Sequence, residues 1–195
     1  AGAMVAGMAM AAVFGVLVLV FQANQVASGL ALTIFGTGLS AFMGLGYTGA
    51  ALKGFSAFDW PTLQSIPILG PTVFSLDPLV YLAFVILVLV AWFLRHTKSG
   101  LVLRAVGESP HSATALGYRV LRLRFGAVLF GGALAGLAGG YLSLAYTPLW
   151  AEGMTAGRGW IALALVVFAT WRPGRLVIGA YLFGGITIAQ LHVQS

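Results

Sequence analysis

The chain has 195 residues, of which 60% are hydrophobic and only 7% are charged. A soluble domain carries about 25% charged residues because its surface must stay in water, so this composition excludes a soluble globule. The hydrophobic residues also occur in long runs rather than in one-sided stripes, which is typical of helices surrounded by lipid. The sequence therefore predicts an all-α, multi-pass transmembrane helix bundle.

The formal net charge is +6, and six of the ten Lys and Arg residues lie in 95–124, between two hydrophobic runs. Positive charge collects in the cytoplasmic loops of membrane proteins. Topology therefore explains the charge, and we expect no nucleic-acid partner. The chain has no cysteine, so neither a disulfide nor a thiolate metal site is predicted.

Six hydrophobic segments are candidate membrane spans, since a helix needs about 20 mostly apolar residues to cross the hydrocarbon core. They are 3–21, 26–47, 79–94, 125–146, 160–171 and 176–191. The fifth is short and suits either a full span or part of a broken or re-entrant helix. Between the second and third, four prolines exclude one continuous helix. Because both ends lie in or beside hydrophobic segments, we expect a single domain over 1–195 that is incomplete at both ends.

The orientation of the spans follows from the basic loops. If 95–124 is cytoplasmic, strict alternation puts Arg172 and Arg175 on the same side and leaves Lys53 and Arg158 outside. The inside then holds eight basic residues against two, which agrees with the positive-inside rule. This alternation counts 160–171 as a full crossing.

Small residues recur at every fourth position in three of the predicted spans, which places them on one helix face. The sets are Gly7, Ala11 and Gly15, then Gly36, Ser40 and Gly44, and finally Gly132, Gly136 and Gly140. Such faces let helix backbones approach closely in a membrane. They predict a tightly packed bundle.

The sequence contains no pattern typical of an enzyme. The histidines, His96, His111 and His192, are too scattered for a metal-ligand pattern. Lys98-Ser99 lacks the preceding glycines of a phosphate-binding loop. We therefore predict no catalytic residue, metal or cofactor, and no ATP hydrolysis by that route.

All four carboxylates fall outside the hydrophobic segments: Asp59, Asp77, Glu108 and Glu152. Proton-coupled carriers usually hold ionisable groups inside the membrane, whereas sodium sites can be built from backbone carbonyls. Secondary transport is therefore disfavoured, more strongly for proton coupling than for sodium coupling.

The segment 107–124 reads GESPHSATALGYRVLRLR. Ser109 followed by Pro110 suits an N-cap and a first helical position, and Gly117 suits the left-handed residue that ends a helix. The sequence thus predicts a helix of about two turns over 110–116, inside a cytoplasmic loop 96–124. A short capped helix in a basic loop suits either the membrane surface or a partner protein.

At this segment the chain resembles the permeases of bacterial ABC importers for ribose-type sugars, branched-chain amino acids and nucleosides. The matching residues are KSG at 98–100, RAVGESP at 104–110, Ala113, ALG at 115–117, Val120 and GGALAGLAG at 131–139. The runs ANQVASGLALT at 23–33 and GMTAGRGWIALA at 153–164, with Arg172-Pro173, are similar to the nucleoside group in particular. His111 and Thr170-Trp171 depart from the family pattern.

The resemblance implies a non-enzymatic permease subunit in the bacterial cell (inner) membrane, with 110–116 as the coupling helix in a cleft of a cytoplasmic ATPase subunit. ATP hydrolysis would take place on that partner. A second permease subunit and an extracytoplasmic substrate-binding protein complete the expected assembly. The expected solute is small and polar, a nucleoside first, with a simple sugar or a branched-chain amino acid as the alternative. An ion-coupled carrier, a channel and a membrane scaffold are the other classes.

Two groups of residues are candidates for functional contacts. For the ATPase they are Glu108, Ser109, Pro110, His111, Ala113 and Gly117, with a solvated turn as the alternative. For the substrate path they are Asn24, Gln25, Ser28 and Thr33, because polar side chains at the start of a hydrophobic span are costly unless they face protein or water. Interhelical hydrogen bonds or a helix cap explain the second group equally well. For Arg158 we favour a side chain that reaches the membrane interface.

Overall fold

The computed structural model describes residues 1–47 and 77–194, and within these ranges the chain is built from helices joined by turns. The helices are α1 (Gly2–Gly15), α2 (Gln25–Gly44), α3 (Pro78–His96), α4 (Lys98–Glu108), α5 (Pro110–Ala115), α6 (Val120–Tyr141), α7 (Arg158–Phe168) and α8 (Pro173–Gln194). A π-helical turn extends α1 (Val16–Val20) and α6 (Leu142–Tyr146), and a 3₁₀ turn extends α2 (Leu45–Tyr47). The all-α class is confirmed. The predicted loop prolines Pro61, Pro67 and Pro71 lie outside the described residues.

Four of the described helices are long and hydrophobic enough to cross a membrane. They are Gly2–Val20, Gln25–Tyr47, Pro78–His96 and Val120–Tyr146, which correspond to the first four predicted spans. Large hydrophobic side chains point away from the chain along them, such as Phe42, 76% exposed, and Trp92, 56% exposed. Such side chains match a lipid surround. The chain is therefore a multi-pass membrane protein.

The fifth candidate segment, which suited either a full span or part of a broken or re-entrant helix, forms a short helix. α7 has 11 residues, which is about 16 Å of helix against a hydrocarbon core of about 30 Å. It stops because Thr170 and Trp171 adopt positive φ angles of 50° and 58°, a left-handed conformation that breaks the helix. The guanidinium of Arg175 donates a hydrogen bond to Thr170 Oγ1 (2.8 Å) and closes this turn. Within residues 1–47 and 77–194, four full spans are shown and not six. The alternation that placed Arg172 and Arg175 inside counted 160–171 as a full crossing and so loses its premise.

The predicted close packing of small-residue faces is confirmed for α1 and α6. A Cβ atom at Gly7 would overlap the backbone of Gly132 and Gly136, and one at Gly136 would overlap the carbonyl oxygen of Ala3. Further along, Gly15 faces the ring of Phe125. Since the start of α1 meets the later part of α6 and its end meets the beginning, the two helices are antiparallel.

This antiparallel packing defines two ends of the bundle. We call the end that holds the α1–α2 turn at 21–24 and the loop 96–119 the basic end, because residues 95–124 are there. The opposite end holds Tyr47, Asp77 and the segment 147–157 between α6 and α7. The electrostatic interaction of Asp77 with Tyr141 agrees with the placement of the start of α3 beside the last turn of α6.

Candidate functional site

An open cavity of about 1170 Å³ lies between α1, α2, α6 and the segment 150–155. We call it the interhelical cavity. The glycines of α6 form one wall, and Gly29 and Gly36 form part of another. Small residues therefore do two things here: they let α1 touch α6, and they leave space beside that contact. A cavity of this size exceeds the range of about 300–1,000 Å³ typical of small-molecule sites.

Polar groups occupy several positions along the wall of the interhelical cavity. Hydroxyls come from Thr33, Thr37 and Ser40 on α2, and Ser143 adds one from α6. Thr33 Oγ1 donates to the Gly29 carbonyl oxygen (2.9 Å), so its proton is used within the helix while its lone pairs remain free to accept. This pattern allows hydroxyl side chains in a hydrophobic helix at little cost and provides acceptors for a polar solute.

Glu152 is the one charged residue among those that line the interhelical cavity in the described ranges. It is exposed and lies in the segment after α6, at the opposite end of the bundle. A carboxylate can accept two hydrogen bonds from neighbouring hydroxyl or amino groups of a ligand. The charge at this mouth is therefore negative and favours neutral hydrogen-bond donors or cations over anions.

The indole ring of Trp150 holds the segment 150–155 at the mouth of the cavity. It lies so close to Gly44 of α2 that a Cβ atom there would overlap the ring. The aromatic ring also lines the cavity. Gly44 therefore allows the Trp150 ring to pack directly against the backbone of α2. It is also a member of the small-residue set of α2.

The structure separates the four predicted substrate-path residues. Thr33 lines the interhelical cavity, whereas Asn24, Gln25 and Ser28 are not among the residues that line it. Asn24 instead caps α2, because its Oδ1 accepts hydrogen bonds from the amides of Val26 (3.0 Å) and Ala27 (3.1 Å). Ser28 is buried, with 9% of its surface exposed. Asn24 thus acts as the helix cap that the sequence left open as an alternative. It lies at the basic end, whereas Glu152 lies at the opposite end.

Sequence reasoning missed Thr37, Ser40, Trp150 and Glu152 as cavity residues. Thr37 and Ser40 follow Thr33 along α2 at spacings of four and three, so the helical period could have found them. Trp150 and Glu152 lie on a segment without regular structure that reaches back across α2. Their position depends on the fold of the whole bundle.

At the basic end, the short helix forms largely as its sequence predicts. Ser109 Oγ accepts a hydrogen bond from the Ser112 amide (3.3 Å), which is the expected N-cap. Gly117 adopts a φ of 84° and ends the helix in the left-handed conformation. One correction concerns its length: α5 is Pro110–Ala115 with Leu116 as the C-cap, so the helix ends one residue before the predicted 116.

The outer face of this loop differs from the predicted contact set at one residue. Ala113 is only 2% exposed and packs within the chain, so it supports α5 and is not available to a partner. Glu108, His111 and Gly117 are exposed, and Ser109 and Pro110 are half-buried. Leu116, which sequence reasoning did not select, is 76% exposed. Leu116 therefore adds an exposed apolar side chain to the loop face that also carries His111.

Arg158 contacts an aromatic ring of its own chain. Its guanidinium carbon lies 5.2 Å from the centroid of the Tyr146 ring, which is a cation–π geometry. This contact joins the start of α7 to the end of α6. The guanidinium thus has an aromatic partner within the chain, and its position at the membrane interface stays an expectation.

Fold and cavity together define a polytopic membrane protein with a wide interhelical cavity at one end and a structured basic loop at the other. The chain belongs to the family described as "Branched-chain amino acid transport system / permease component", whose model matches residues 1–194. Its family resemblance is thereby confirmed.

Several curated relatives are similar over much of the chain. It is 46% identical over 193 residues to the putative glucose ABC transporter permease protein TsgC13 of Haloferax volcanii, covering 97% of this chain and 59% of that protein. It is 33% identical over 190 residues to the guanosine ABC transporter permease protein NupQ of Bacillus subtilis, covering 94% and 59%. Identity to the nucleoside ABC transporter permease protein NupC of Lactococcus lactis subsp. cremoris is 34% over 128 residues, covering 65% and 40%. The chain thus spans about three fifths of the length of the first of these relatives. No solved structure matches it significantly.

Proposed function

We propose that this chain is the membrane-spanning part of an ABC importer permease that carries a neutral solute with a sugar ring, a nucleoside or a simple sugar. ATP hydrolysis takes place on a separate cytoplasmic ATPase subunit. A second permease subunit and an extracytoplasmic substrate-binding protein complete the assembly. Family membership and the relatives named for glucose, guanosine and nucleosides support this proposal.

The single observation that carries the proposal is the geometry of α5. The helix is capped at both ends, is seated on its own chain through Ala113, and presents His111 and Leu116 outward. Six basic residues of 95–124 surround it in sequence, which supports a cytoplasmic position. A helix that is rigidly attached to the bundle on one side and exposed on the other can transmit movement of a docked ATPase to the spans.

The cavity supports the solute class. Hydroxyl acceptors on α2, the carboxylate of Glu152 and the indole of Trp150 form the combination that binds a polyhydroxylated ring: hydrogen bonds to its edge and an apolar plane against its face. A branched-chain amino acid fits less well, because its carboxylate finds no Lys or Arg among the described residues that line this cavity. Thr33 remains the candidate from the predicted path, now joined by Thr37, Ser40 and Glu152.

The topology is part of the proposal. The loop 96–119 faces the cytoplasm, and Glu152 and Arg158 face the outside. α7 is too short to count as a full crossing. Six basic residues then lie at the cytoplasmic end, which still satisfies the positive-inside rule.

Site-directed cross-linking tests the coupling role. The full-length protein has one cysteine introduced at His111, in a chain that has no cysteine in this region, and is co-expressed with its ATPase subunit. We expect a His111→Cys adduct with the ATPase whose yield changes on ATP addition, and none from Gly46→Cys at the opposite end. If well-expressed His111→Cys gave no adduct, the ATPase would not dock on this face of the loop. That result would favour a carrier or a channel.

Substitution of Glu152 tests the cavity. Loss of a charge-assisted hydrogen bond costs about 1.5–3 kcal/mol, so Glu152→Gln should raise the apparent KM for the solute by roughly tenfold to a hundredfold. The matched control is Glu108→Gln, an exposed carboxylate at the basic end, for which the KM should not change. An unchanged KM in Glu152→Gln would exclude this mouth as a solute contact.

A further inference from the structure

The helix α4 starts beside the end of α3, at the basic end of the bundle. Thr97, which joins the two helices, has a φ of −110° and a ψ of 148°, so the chain turns sharply there. A Cβ atom at Gly100 would overlap the carbonyl oxygen of Phe93 and the Cα atom of Leu94. The first turn of α4 therefore packs against the last part of α3 and does not project beyond it.

This contact places the start of α4 at the boundary of the hydrocarbon core. α3 has 19 residues, which is about 28 Å of helix and matches a core of about 30 Å. The last turn of α3 is therefore close to one surface of the core. Trp92 near the end of α3 and Tyr118 just before α6 agree with this level, because both are exposed and such aromatic residues are typical of the membrane–water interface.

The outward side of α4 carries one large apolar side chain between two basic ones. Lys98, Leu101 and Arg104 are exposed and follow one another at spacings of three residues, which places them along one side of the helix. Leu101 is 59% exposed, whereas Val106 on the inner side is 1% exposed. This pattern is typical of a helix that lies in the membrane interface, where the apolar side chain enters the lipid and the basic side chains reach the headgroups.

The positive charge of this region is not neutralised within the chain. Residues 95–124 hold six Lys and Arg against one carboxylate, Glu108. In the part of the chain that the structure describes, no ion pair involves Lys98 or Arg104. Arg122, in the first turn of α6, is also exposed at this end. Charge complementarity therefore favours an anionic surface at this level, and acidic phospholipid headgroups form such a surface.

We propose that α4 is an interfacial helix that binds the headgroups of anionic phospholipids through Lys98 and Arg104, with the side chain of Leu101 inserted below them. The face of α5 that carries His111 and Leu116 stays free of the membrane. Two neighbouring short helices of one loop thus have different partners, the lipid surface for α4 and a protein for α5. The lipid contact fixes the loop at the edge of the bundle while α5 remains available for docking.

The fluorescence of probes on single cysteines tests this inference without requiring transport. Leu101→Cys on α4 and Leu116→Cys beside α5 form a matched pair, because both replace an exposed leucine of the same loop. Each full-length variant, in a background without other cysteines, is labelled with a polarity-sensitive bimane. It is then placed in vesicles of phosphatidylcholine, with or without phosphatidylglycerol. The measured quantity is the emission maximum, which moves to shorter wavelength when the probe leaves water.

We expect phosphatidylglycerol to move the emission of the Leu101→Cys probe to shorter wavelength and to leave that of the Leu116→Cys probe unchanged. Adding Lys98→Gln and Arg104→Gln should reduce the shift at Leu101→Cys by roughly half or more, since each basic side chain adds to the attraction by an anionic surface. Salt at about 1 M, where the Debye length is about 3 Å, should have a similar effect. Lys98→Arg with Arg104→Lys should preserve the shift, which separates the charge from a structural effect of the substitutions.

Four results would overturn the inference. Equal emission of the Leu101→Cys probe in both kinds of vesicle would show that α4 does not respond to anionic lipid. An equal shift of the Leu116→Cys probe would place the whole loop on the membrane. A shift that survives the loss of both charges would show that Lys98 and Arg104 do not bind the headgroups. In detergent, a shift of the Leu101→Cys probe on ATPase addition as large as that at Leu116→Cys would assign α4 to the protein partner.

The lipid experiments involve neither the solute nor the ATPase. Failure of the lipid contact therefore leaves the proposed function untouched, and failure of the proposed function leaves the lipid contact measurable.

Discussion

At the scale of single residues, α1 and α6 meet through positions that have no side chain. Gly136 has the carbonyl oxygen of Ala3 where its Cβ atom would be, and Gly132 has the Cβ atom of Ala11 there. In lipid there is no hydrophobic drive to join helices, so the stabilisation comes from close van der Waals contact of this kind. A single added methyl group must therefore push the two helices apart.

Gly136→Ala should lower the thermal stability of the full-length protein in detergent. Overpacking a tight contact costs about 1–3 kcal/mol, and each kcal/mol corresponds to roughly 2–4 °C in Tm for a chain of this size. Gly131→Ala is the control, since this residue is on the same helix with nothing within 4 Å of its Cβ position. Equal Tm values for the two variants would contradict the packing described for α1 and α6.

Asn24 serves as the N-cap of α2. Its substitution distinguishes a role in stability from a role in the substrate path. Removal of an N-cap costs about 1 kcal/mol, so Asn24→Ala should lower the Tm of the protein, while Asn24→Asp, which keeps the acceptor oxygen, should not. The KM for the solute should stay the same in both variants. A raised KM with unchanged Tm in Asn24→Asp would instead return Asn24 to the substrate path.

Local chemistry explains which residue-level predictions held. The cap at Ser109 and the left-handed Gly117 depend on a few neighbouring residues, and both were readable from the sequence. The buried state of Ala113 and the seat of Trp150 on Gly44 depend on contacts between elements distant in the chain. These contacts leave no local pattern, which is why Ala113 was assigned to the partner face and Trp150 was not selected.

At the scale of elements, the loop at the basic end is more rigid than its sequence pattern indicates. Thr97 ends α3 and caps α4, since its Oγ1 accepts from the Gly100 amide (3.0 Å) and donates to the Phe93 carbonyl oxygen (2.7 Å). A Cβ atom at Gly100 would overlap that same carbonyl oxygen. Together with buried Val106 and Ala113, this corner connects α5 firmly to the spans.

We expect Leu116 to contact the ATPase subunit through its exposed side chain. Leu116→Asp places a charge where we expect a partner groove, so we expect at least a tenfold loss of ATPase binding affinity, which corresponds to 1.4 kcal/mol. Because Leu116 is 76% exposed, the Tm of the permease without ATPase should not change. Leu101→Asp, at an exposed position on α4, is the comparison. If the Leu116→Asp variant bound the ATPase with full affinity, Leu116 would not be part of the contact with the ATPase.

The hydrophobic spans were the easiest elements to predict and the α7–α8 hairpin the hardest. Long apolar runs determined α1, α2, α3 and α6, because lipid imposes length and composition together. α7 ends without glycine or proline, at Thr170 and Trp171 in left-handed conformations. Non-glycine residues adopt that conformation only where surrounding structure compensates, and the compensation here includes the hydrogen bond from Arg175.

At the scale of the whole molecule, function requires that two ends act together. The interhelical cavity opens near Glu152 at one end, and α5 is exposed at the other. α6 joins them, because it begins directly after the α5 loop and its glycines form the cavity wall. A movement of α5 would therefore displace the same helix that borders the solute space, which is what alternating access by a bound ATPase needs.

Solute uptake by the reconstituted assembly tests most directly whether this chain is part of an ATP-driven importer. The full-length protein, its ATPase, partner permease and binding protein are placed in liposomes with ATP inside, and labelled guanosine or glucose outside. We expect saturable uptake of one of these solutes that requires hydrolysable ATP and is lost when the ATPase is omitted. Uptake that proceeds equally without ATP and without the ATPase would contradict the central claim and identify a channel or an ion-coupled carrier instead.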